Sequence, residues 1–175
     1  MVTTNGDDFE QVWHAHRADV WKLAVLLCDD VDVAEDVVGA AVARAWRGWT
    51  GRRVLEPRAY LRRAVVNEAT DRFRSRRRDR RWAERRTGEG RATRAVVDDV
   101  ADRVDLAAAM AGLPIGQRAV IVLRFWADLS EAEIARTLGI SAGTVKSRTS
   151  RAMAALAVRL DSTHPETRTV EVPDA

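Results

Sequence analysis

The sequence contains a single cysteine, Cys28, among 175 residues. One thiol cannot form an intrachain disulfide, and it cannot supply the cysteine cluster of a structural zinc site. Because no secretory signal is evident either, we expect a protein of the reducing cytoplasm. The chain also lacks an uninterrupted apolar run that approaches the length of a bilayer crossing, so we expect no membrane span.

The sequence motifs of common enzymes are missing as well. His14 and His16 are two positions apart on a predicted helix, so they point to roughly opposite sides and cannot share a metal ion. There is no nucleophile elbow and no glycine-rich phosphate loop. The acidic clusters lack the alternating ligands and the glycine of a calcium loop. We therefore expect no catalytic residue, no metal site and no cofactor.

Charge, in contrast, is abundant and unevenly distributed. The net charge of +3 combines acidic clusters near residues 29–36 and 98–105 with arginines between 72 and 94. The segment RFRSRRRDRR (72–81) contains seven arginines in ten residues, a density that favours a polyanionic partner such as nucleic acid. The acidic clusters fit either a basic partner protein or a solvated surface, and both alternatives stay open.

Apolar residues recur at helical spacing throughout, and no strand pattern is found, so the sequence predicts an all-α protein. Aspartates near position 30 end the first helix, and Asp32, with Glu35 three positions later, is predicted to cap the second. Gly48 and the residues after it are predicted to form a loop. Pro57 suits the first turn of a third helix.

The helical segments group into two small domains joined by a flexible linker. We assign residues 1–82 to the first domain, 83–103 to the linker, 104–160 to the second domain and 161–175 to a disordered tail. In the second domain, one helix ends near Ala111, and another runs from Pro114 to Trp126. Fully extended, a linker of about 20 residues could span on the order of 60–70 Å.

The segment from Leu129 to Leu156 predicts a helix-turn-helix at the end of the second domain. Ser130 and Glu133 have the spacing of a capping box. Gly139 suits the left-handed conformation that ends a helix, and Ser141 can cap the next one.

The last helix of this motif has two different faces. Val145, Ala152 and Leu156 share a narrow apolar face that can pack on the preceding helix. The other side offers cations and hydroxyls to a DNA major groove. With their flanking positions, these candidate duplex-binding residues are Ser141, Thr144, Lys146, Ser147, Arg148, Ser150 and Arg151. The alternative is an ordinary helical hairpin with a solvated charged face.

Three stretches together resemble bacterial RNA polymerase sigma factors of the extracytoplasmic-function class. They are DVAEDVVGAAVARAW (32–46), PRAYLRRAVVNEATDRFRSRRR (57–78) and LPIGQRAVIVLRFWADLSEAEIARTLGISAGTVKSRTSRAMAAL (113–156). The resemblance implies two helical domains, regions 2 and 4, that bind core RNA polymerase and promoter DNA. Region 4 would bind the upstream promoter element as duplex, and region 2 would bind the downstream element as melted single strand. It also leaves room for an anti-sigma factor as a further partner.

The resemblance assigns two further groups of residues in the first domain. It assigns polymerase binding to Asp36, Val37, Arg44 and Trp46, although Gly39 and Ala40 stand where the family usually has glutamine and an acidic or polar residue.

On the third helix, a polar stripe at spacings of four and three residues would bind the melted strand. Its members are Arg63, Asn67, Thr70, Arg74 and Arg77. Trp49 could stack on an extruded base or pack in the core, and both roles stay open.

Other functional classes remain as alternatives. The same helix-turn-helix would suit a dimeric repressor or activator, but such a protein needs a dimerisation helix or a ligand pocket. An adaptor that only holds other proteins would have no use for the arginine stripe.

Overall fold

Every regular element in the described part of the chain is a helix. The computed structural model describes residues 5–49, 54–87 and 101–163, and it places the side chains of 8–49, 54–76 and 106–161. The helices are α1 (Asn5–Cys28), α2 (Val31–Trp49), α3 (Pro57–Thr87), α4 (Ala101–Ala111), α5 (Ile115–Ile121), a π-helical segment (Val122–Trp126), α6 (Glu131–Leu138) and α7 (Ala142–Thr163). This confirms the predicted all-α class with two helical units, the second of which ends in a helix-turn-helix.

Helices α1, α2 and α3 form the first unit around a shared apolar core. Side chains at three- and four-residue spacing on each helix turn inward, as the sequence pattern predicts. Burying one such leucine or valine contributes about 1.5–3 kcal/mol to folding. The largest fully buried members of this core are Leu23, Leu27, Val37, Leu61, Val65 and Val66.

The corner between α1 and α2 corrects the predicted cap. Asp29 adopts a left-handed conformation with φ of 56° and ends α1, so α2 begins at Val31. The residue that caps α2 is therefore Asp30, whose carboxylate accepts a hydrogen bond of 3.0 Å from the Val33 N–H. Asp32 instead lies in the first turn, where its charge is favourable near the positive end of the helix dipole.

Gly48 lies within α2 rather than in the loop that the sequence predicted. The Tyr60 hydroxyl of α3 donates a 3.1 Å hydrogen bond to the Ala45 carbonyl in the last turn of α2. A Cβ at position 48 would collide with that hydroxyl. Glycine therefore allows α3 to approach the end of α2 closely, which is a packing requirement and not a turn signal.

The second unit contains an irregularity that the sequence pattern did not predict. The expected helix from Pro114 to Trp126 changes from α to π geometry at Val122, and the Ala127 N–H donates to the Val122 carbonyl at 3.1 Å. The wider turn rotates the residues that follow it. Phe125 and Trp126 are consequently exposed, while Leu123 stays in the core.

The helices extend into both segments that were assigned to the linker and the tail. α3 continues to Thr87 and α4 begins at Ala101, so the predicted linker of 83–103 is helical at both ends. α7 likewise continues to Thr163, three residues into the predicted tail. The rest of the linker (88–100) and of the tail (164–175) lie outside the described residues.

The two units are packed against each other. α5 and α6 of the second unit contact α3, while α5 and the π-helical segment contact α1. The sequence predicted only a tether between the units, because helical periodicity carries no information about contacts between distant segments.

Gly39→Ala is expected to raise the free energy of unfolding by about 0.5–1 kcal/mol, because glycine inside a helix costs backbone entropy. Gly39 lies exposed in α2, and a Cβ there would meet nothing within 4 Å. Denaturant titration followed by circular dichroism measures the effect. Gly48→Ala, in the same helix, is the matched control and should lower stability through the Tyr60 clash. A destabilised Gly39→Ala protein would contradict this account of α2.

Candidate nucleic-acid interface

The predicted capping box at the start of α6 is present. The Glu133 N–H donates to the Ser130 hydroxyl oxygen at 3.3 Å, and the Ser130 N–H donates to the Glu133 carboxylate at 2.9 Å. The Ser130 hydroxyl also donates to this carboxylate at 2.6 Å, and the two bonds donated by Ser130, first that of the hydroxyl and then that of the N–H, hold the pKa of Glu133 below its ordinary value. The stabilisation they give is therefore present above the ordinary glutamate pKa and is lost as the pH falls through the lowered value. The box fixes where the first helix of the motif begins.

The turn of the motif also has its predicted geometry. Gly139 is left-handed, with φ of 63° and ψ of 38°, and ends α6. The Ile140 N–H then donates to the Ala135 carbonyl at 3.1 Å. The Ser141 hydroxyl accepts a 3.2 Å hydrogen bond from the Thr144 N–H, so Ser141 caps α7. The angle between α6 and α7 thus depends on local signals at both helix ends.

Gly139→Ala is expected to cost about 1–2 kcal/mol of unfolding free energy, since an L-residue is strained at positive φ. The measurement is again denaturant titration of the whole chain. Gly143→Ala, four residues later, is the control: Gly143 is helical and exposed, and its Cβ would meet only the Ser141 hydroxyl, at 4.0 Å. Equal stability of the Gly139→Ala protein and the wild type would show that the turn does not depend on the left-handed residue.

α7 buries one face and exposes the other, as predicted. Val145, Ala152 and Leu156 pack into the core of the second unit. Lys146 and Arg151 are exposed on the other side, together with the Ser141 and Ser150 hydroxyls. These four side chains form the accessible candidate surface for duplex DNA, which we call the α7 face.

Three other candidates of α7 are half-buried and lie against neighbouring groups of the second unit. The Ser147 hydroxyl donates to the Thr144 carbonyl at 3.1 Å, and the Thr144 hydroxyl lies 2.9 Å from that of Ser141. Arg148 lies against the start of α5, where a Cβ at Gly116 would come within 3.1 Å of its guanidinium. The absence of a side chain at Gly116 thus leaves room for Arg148.

The structure places the predicted polar stripe on a single helix, α3. Positions 63, 67, 70 and 74 share one face, on which Arg63 and Arg74 are exposed and Asn67 is half-buried. The Thr70 hydroxyl donates to the Val66 carbonyl at 2.7 Å, so it is engaged within the helix. The side chain of Arg77 lies outside the described residues. Arg63, Asn67 and Arg74 remain as the accessible part of the α3 stripe.

Trp49 packs in the core, which corrects its assignment to the melted strand. Only 5% of its surface is exposed. Its ring makes edge-to-face contacts with Phe9 and Tyr60 at centroid distances of 5.3 Å and 5.8 Å. Of the two roles that the sequence left open, the structure supports packing, because no base could stack on the ring without displacing these neighbours.

The polymerase-binding candidates of α2 also differ in how far their side chains are exposed. Val37 is fully buried, with 0% exposure, so it supports the helix and cannot touch a partner, which corrects its assignment. Asp36 forms an ion pair with Arg72 of α3. Trp46 is 41% exposed and rests edge-to-face on Phe9 at 5.2 Å.

Arg44, the remaining polymerase-binding candidate, joins α2 to α3. Its guanidinium lies 2.9 Å from Glu68 and 3.9 Å from Asp71 of α3, and Asp71 also lies 3.8 Å from Arg74. The two acidic residues of α3 were not predicted as part of either site. Exposed ion pairs of this kind contribute little to stability. They bring Arg44 and Arg74 together on either side of Asp71.

Among residues 5–49, 54–87 and 101–163, no cluster of three or more histidine, cysteine, aspartate or glutamate side chains could hold a metal ion. None of the helices in the same ranges combines the length and the apolar composition that a bilayer crossing requires.

Both halves of the chain are similar to known proteins. A model described as Sigma-70 region 2 matches residues 12–79, and one described as Sigma-70, region 4 matches residues 103–156. An RNA polymerase sigma-E factor of Streptomyces antibioticus is 38% identical over 149 residues, which cover 83% of this chain and 80% of the relative. The ECF RNA polymerase sigma factor SigL of Mycobacterium tuberculosis is 36% identical over 154 residues, 85% of this chain and 86% of the relative.

A solved structure shares the fold over most of both chains. The sigma factor RpoE from Bartonella quintana, crystallised in complex with the anti-sigma factor NepR, superimposes with a TM-score of 0.69 at 27% identity. The match covers 88% of this chain and 97% of that one. The similarity therefore extends over both helical units.

Proposed function

This chain belongs to the sigma-70 family, in its extracytoplasmic-function group, and we infer that it binds core RNA polymerase and directs it to particular promoters. One observation carries this inference: region 2 matches α1–α3 and region 4 matches α4–α7, in that order and in one chain. A helix-turn-helix alone occurs in many DNA-binding proteins, whereas the two regions in series are specific to sigma factors.

We assign duplex binding to residues 104–160 and, within them, to the α7 face. Lys146 and Arg151 can donate to guanine acceptors or to phosphates, and the Ser141 and Ser150 hydroxyls can bond either. Their joint exposure on a helix that Ser141 caps supports this role. Thr144, Ser147 and Arg148 are proposed to support the helix, because each is half-buried in the motif.

We assign the melted strand to residues 1–82 and, within them, to the α3 stripe. Arg63 and Arg74 supply cations for phosphates, and the Asn67 amide can bond a base edge. Asp36, Arg44 and Trp46 of α2 are the exposed candidates for polymerase contact. Since Gly39 replaces a hydrogen-bonding side chain of the family, we propose that the ion-paired Arg44 and the exposed Trp46 carry more of that contact here.

We infer the absence of catalysis, the cellular location and one further partner from the family. We propose that the chain is a transcription initiation factor without catalytic activity of its own, and that it acts in the cytoplasm, where polymerase and chromosome are. The relative from Bartonella quintana was crystallised with an anti-sigma factor, and we propose an anti-sigma factor as a further partner of this chain. The alternative of a dimeric repressor is disfavoured, because relatives named as sigma factors match across both units.

The direct test is in vitro transcription with core RNA polymerase over a library of genomic fragments, followed by mapping of start sites. We expect the chain to co-purify with core polymerase and to direct initiation at a limited set of sites that share two sequence elements. Core polymerase without the chain is the control. If initiation stays unselective and no complex with core polymerase forms, the proposed function is wrong.

A further inference from the structure

Two ion pairs join the charged polymerase-binding candidates of α2 to α3. The Nη2 atom of Arg44 lies 2.9 Å from the Oε2 atom of Glu68. Asp36, about two turns earlier on α2, pairs with the Arg72 guanidinium. Glu68 and Arg72 are four residues apart on α3, so they are neighbours on one face of that helix. Each charged candidate of α2 thus has a counter-charge on α3.

In both pairs the partner on α3 is the less exposed side chain. Glu68 is 14% exposed against 55% for Arg44, and Arg72 is 31% exposed against 61% for Asp36. The Oε2 atom of Glu68 and the Nε atom of Arg72 are buried, and neither has a hydrogen-bond partner in the described part of the chain. A charge withdrawn from water is costly unless an opposite charge compensates for it. The two α3 side chains therefore favour positions of Arg44 and Asp36 close to them.

This preference restricts the Arg44 side chain before any partner binds. A guanidinium carries five N–H donors in one plane, so it can face Glu68 and still offer donors on its outer edge. Asp71 is 59% exposed and lies 3.9 Å from Arg44, so it restricts the guanidinium less than Glu68 does. Ordering one long side chain in an interface lowers affinity by roughly threefold to tenfold. A side chain that is already oriented avoids most of that loss.

We propose that Glu68 and Arg72 are positioning residues for the polymerase contact, which orient Arg44 and Asp36 in the free chain and do not touch polymerase themselves. The surface that fits this arrangement offers an acceptor to Arg44 and a cation to Asp36. The inference rests on the proposed function, because it concerns the residues assigned there to polymerase. It gives these ion pairs a role in binding even where they add little to stability.

The first test measures the affinity of the full-length chain for core RNA polymerase by equilibrium titration without DNA. Glu68→Gln keeps the size of the side chain and removes its charge, so it should weaken binding roughly threefold to tenfold. Glu68→Asp keeps the charge and should stay within about twofold of the wild type. Asp19→Asn is the matched control, since it removes a carboxylate that pairs at 3.0 Å with Arg58 of α3. Wild-type affinity of Glu68→Gln would refute the positioning role of Glu68.

A double-mutant cycle tests whether Glu68 acts through Arg44. Once Arg44 is replaced, loss of the Glu68 charge should have no further effect, so Arg44→Met and Arg44→Met/Glu68→Gln should bind polymerase equally. A further loss of threefold or more in the double variant would show that Glu68 acts in another way and would overturn the inference. Circular dichroism verifies that each variant keeps its helical content.

The second ion pair supplies an independent cycle, which remains decisive if removal of Arg44 unfolds the chain. Arg72→Gln should weaken polymerase binding in the wild type and should have no effect in the Asp36→Asn background. Equal losses in both backgrounds would exclude Arg72 as a positioning residue for Asp36.

A last measurement separates positioning from damage to the melted-strand site, because Glu68 is next to Asn67 on α3. At saturating chain concentration, the Glu68→Gln holoenzyme should show wild-type permanganate reactivity of start-site thymines. Reduced reactivity at wild-type polymerase affinity would place Glu68 in the strand site and contradict the inference. If the wild-type chain itself does not bind core polymerase, the proposed function is wrong and this inference with it. If the wild type and Glu68→Gln bind equally well, only the inference is wrong.

Discussion

The Lys146→Ala/Arg151→Ala protein is expected to lose nearly all promoter-specific transcription while still binding core polymerase. Both side chains are exposed on the α7 face, on a helix whose opposite side is buried. A well-placed base contact is worth about 1–3 kcal/mol of discrimination. Two such contacts together correspond to roughly a 30-fold loss at the least. Run-off transcription from a mapped promoter measures the loss, and co-purification measures polymerase binding.

Arg17→Ala/Lys22→Ala is the matched control for this experiment, because it also removes two exposed cations, both from α1. Comparison with promoters altered in the upstream element separates base contacts from phosphate contacts. Loss of a base contact relaxes specificity at one position, whereas loss of a phosphate contact weakens all sequences alike. Wild-type transcription by the double variant would show that the α7 face does not bind promoter DNA.

The Asn67→Ala/Arg74→Ala protein is expected to be defective in open-complex formation and nearly normal in initial duplex binding. The Asn67 amide and the Arg74 guanidinium share one face of α3, as Arg63 does. A hydrogen bond to a charged group, such as that of Arg74 to a phosphate, is worth about 1.5–3 kcal/mol. We therefore expect the open-complex fraction to fall on the order of 10-fold or more. Permanganate reactivity of thymines at the start site reports melting, and a gel shift on ice reports the closed complex.

Gln11→Ala/Arg17→Ala removes one amide and one guanidinium from exposed positions of α1 and is the matched control. Its permanganate pattern should equal that of the wild type. Should Asn67→Ala/Arg74→Ala show normal thymine reactivity together with weakened duplex binding, the stripe would be a duplex-binding surface, and its assignment to the melted strand would be wrong.

Local signals made much of the fold predictable from sequence. The capping box of Ser130 and Glu133 and the left-handed Gly139 each depend on residues within one turn, so composition and spacing were sufficient to place them. Pro57 begins α3 for the same reason. Periodicity likewise separated the buried face of α7 from its exposed face.

Features that depend on distant contacts could not be predicted in this way. Gly48 is required by Tyr60 of another helix, and Trp49 is buried by Phe9 and Tyr60. The cap at Asp30, two residues before the predicted one, follows from the left-handed Asp29, which sequence spacing did not reveal. Periodicity finds the apolar side of a helix, but it does not say how completely the neighbouring helices cover it.

The candidate site shows the same limit. Sequence spacing placed Lys146, Ser150 and Arg151 on the outer face of α7, and the structure exposes all three. It could not show that Arg148 lies against Gly116, because that contact joins α7 to α5. Glu68 was missed altogether as a partner of Arg44, since that contact joins α3 to α2.

The central claim is that one chain contacts promoter DNA as duplex with its second unit and as melted strand with its first. A combined hydroxyl-radical and permanganate footprint of the wild-type holoenzyme on one mapped promoter tests it most directly. We expect an upstream protected duplex segment that disappears with Lys146→Ala/Arg151→Ala, and downstream reactive thymines that disappear with Asn67→Ala/Arg74→Ala. A single protected duplex site without melted bases would contradict the claim.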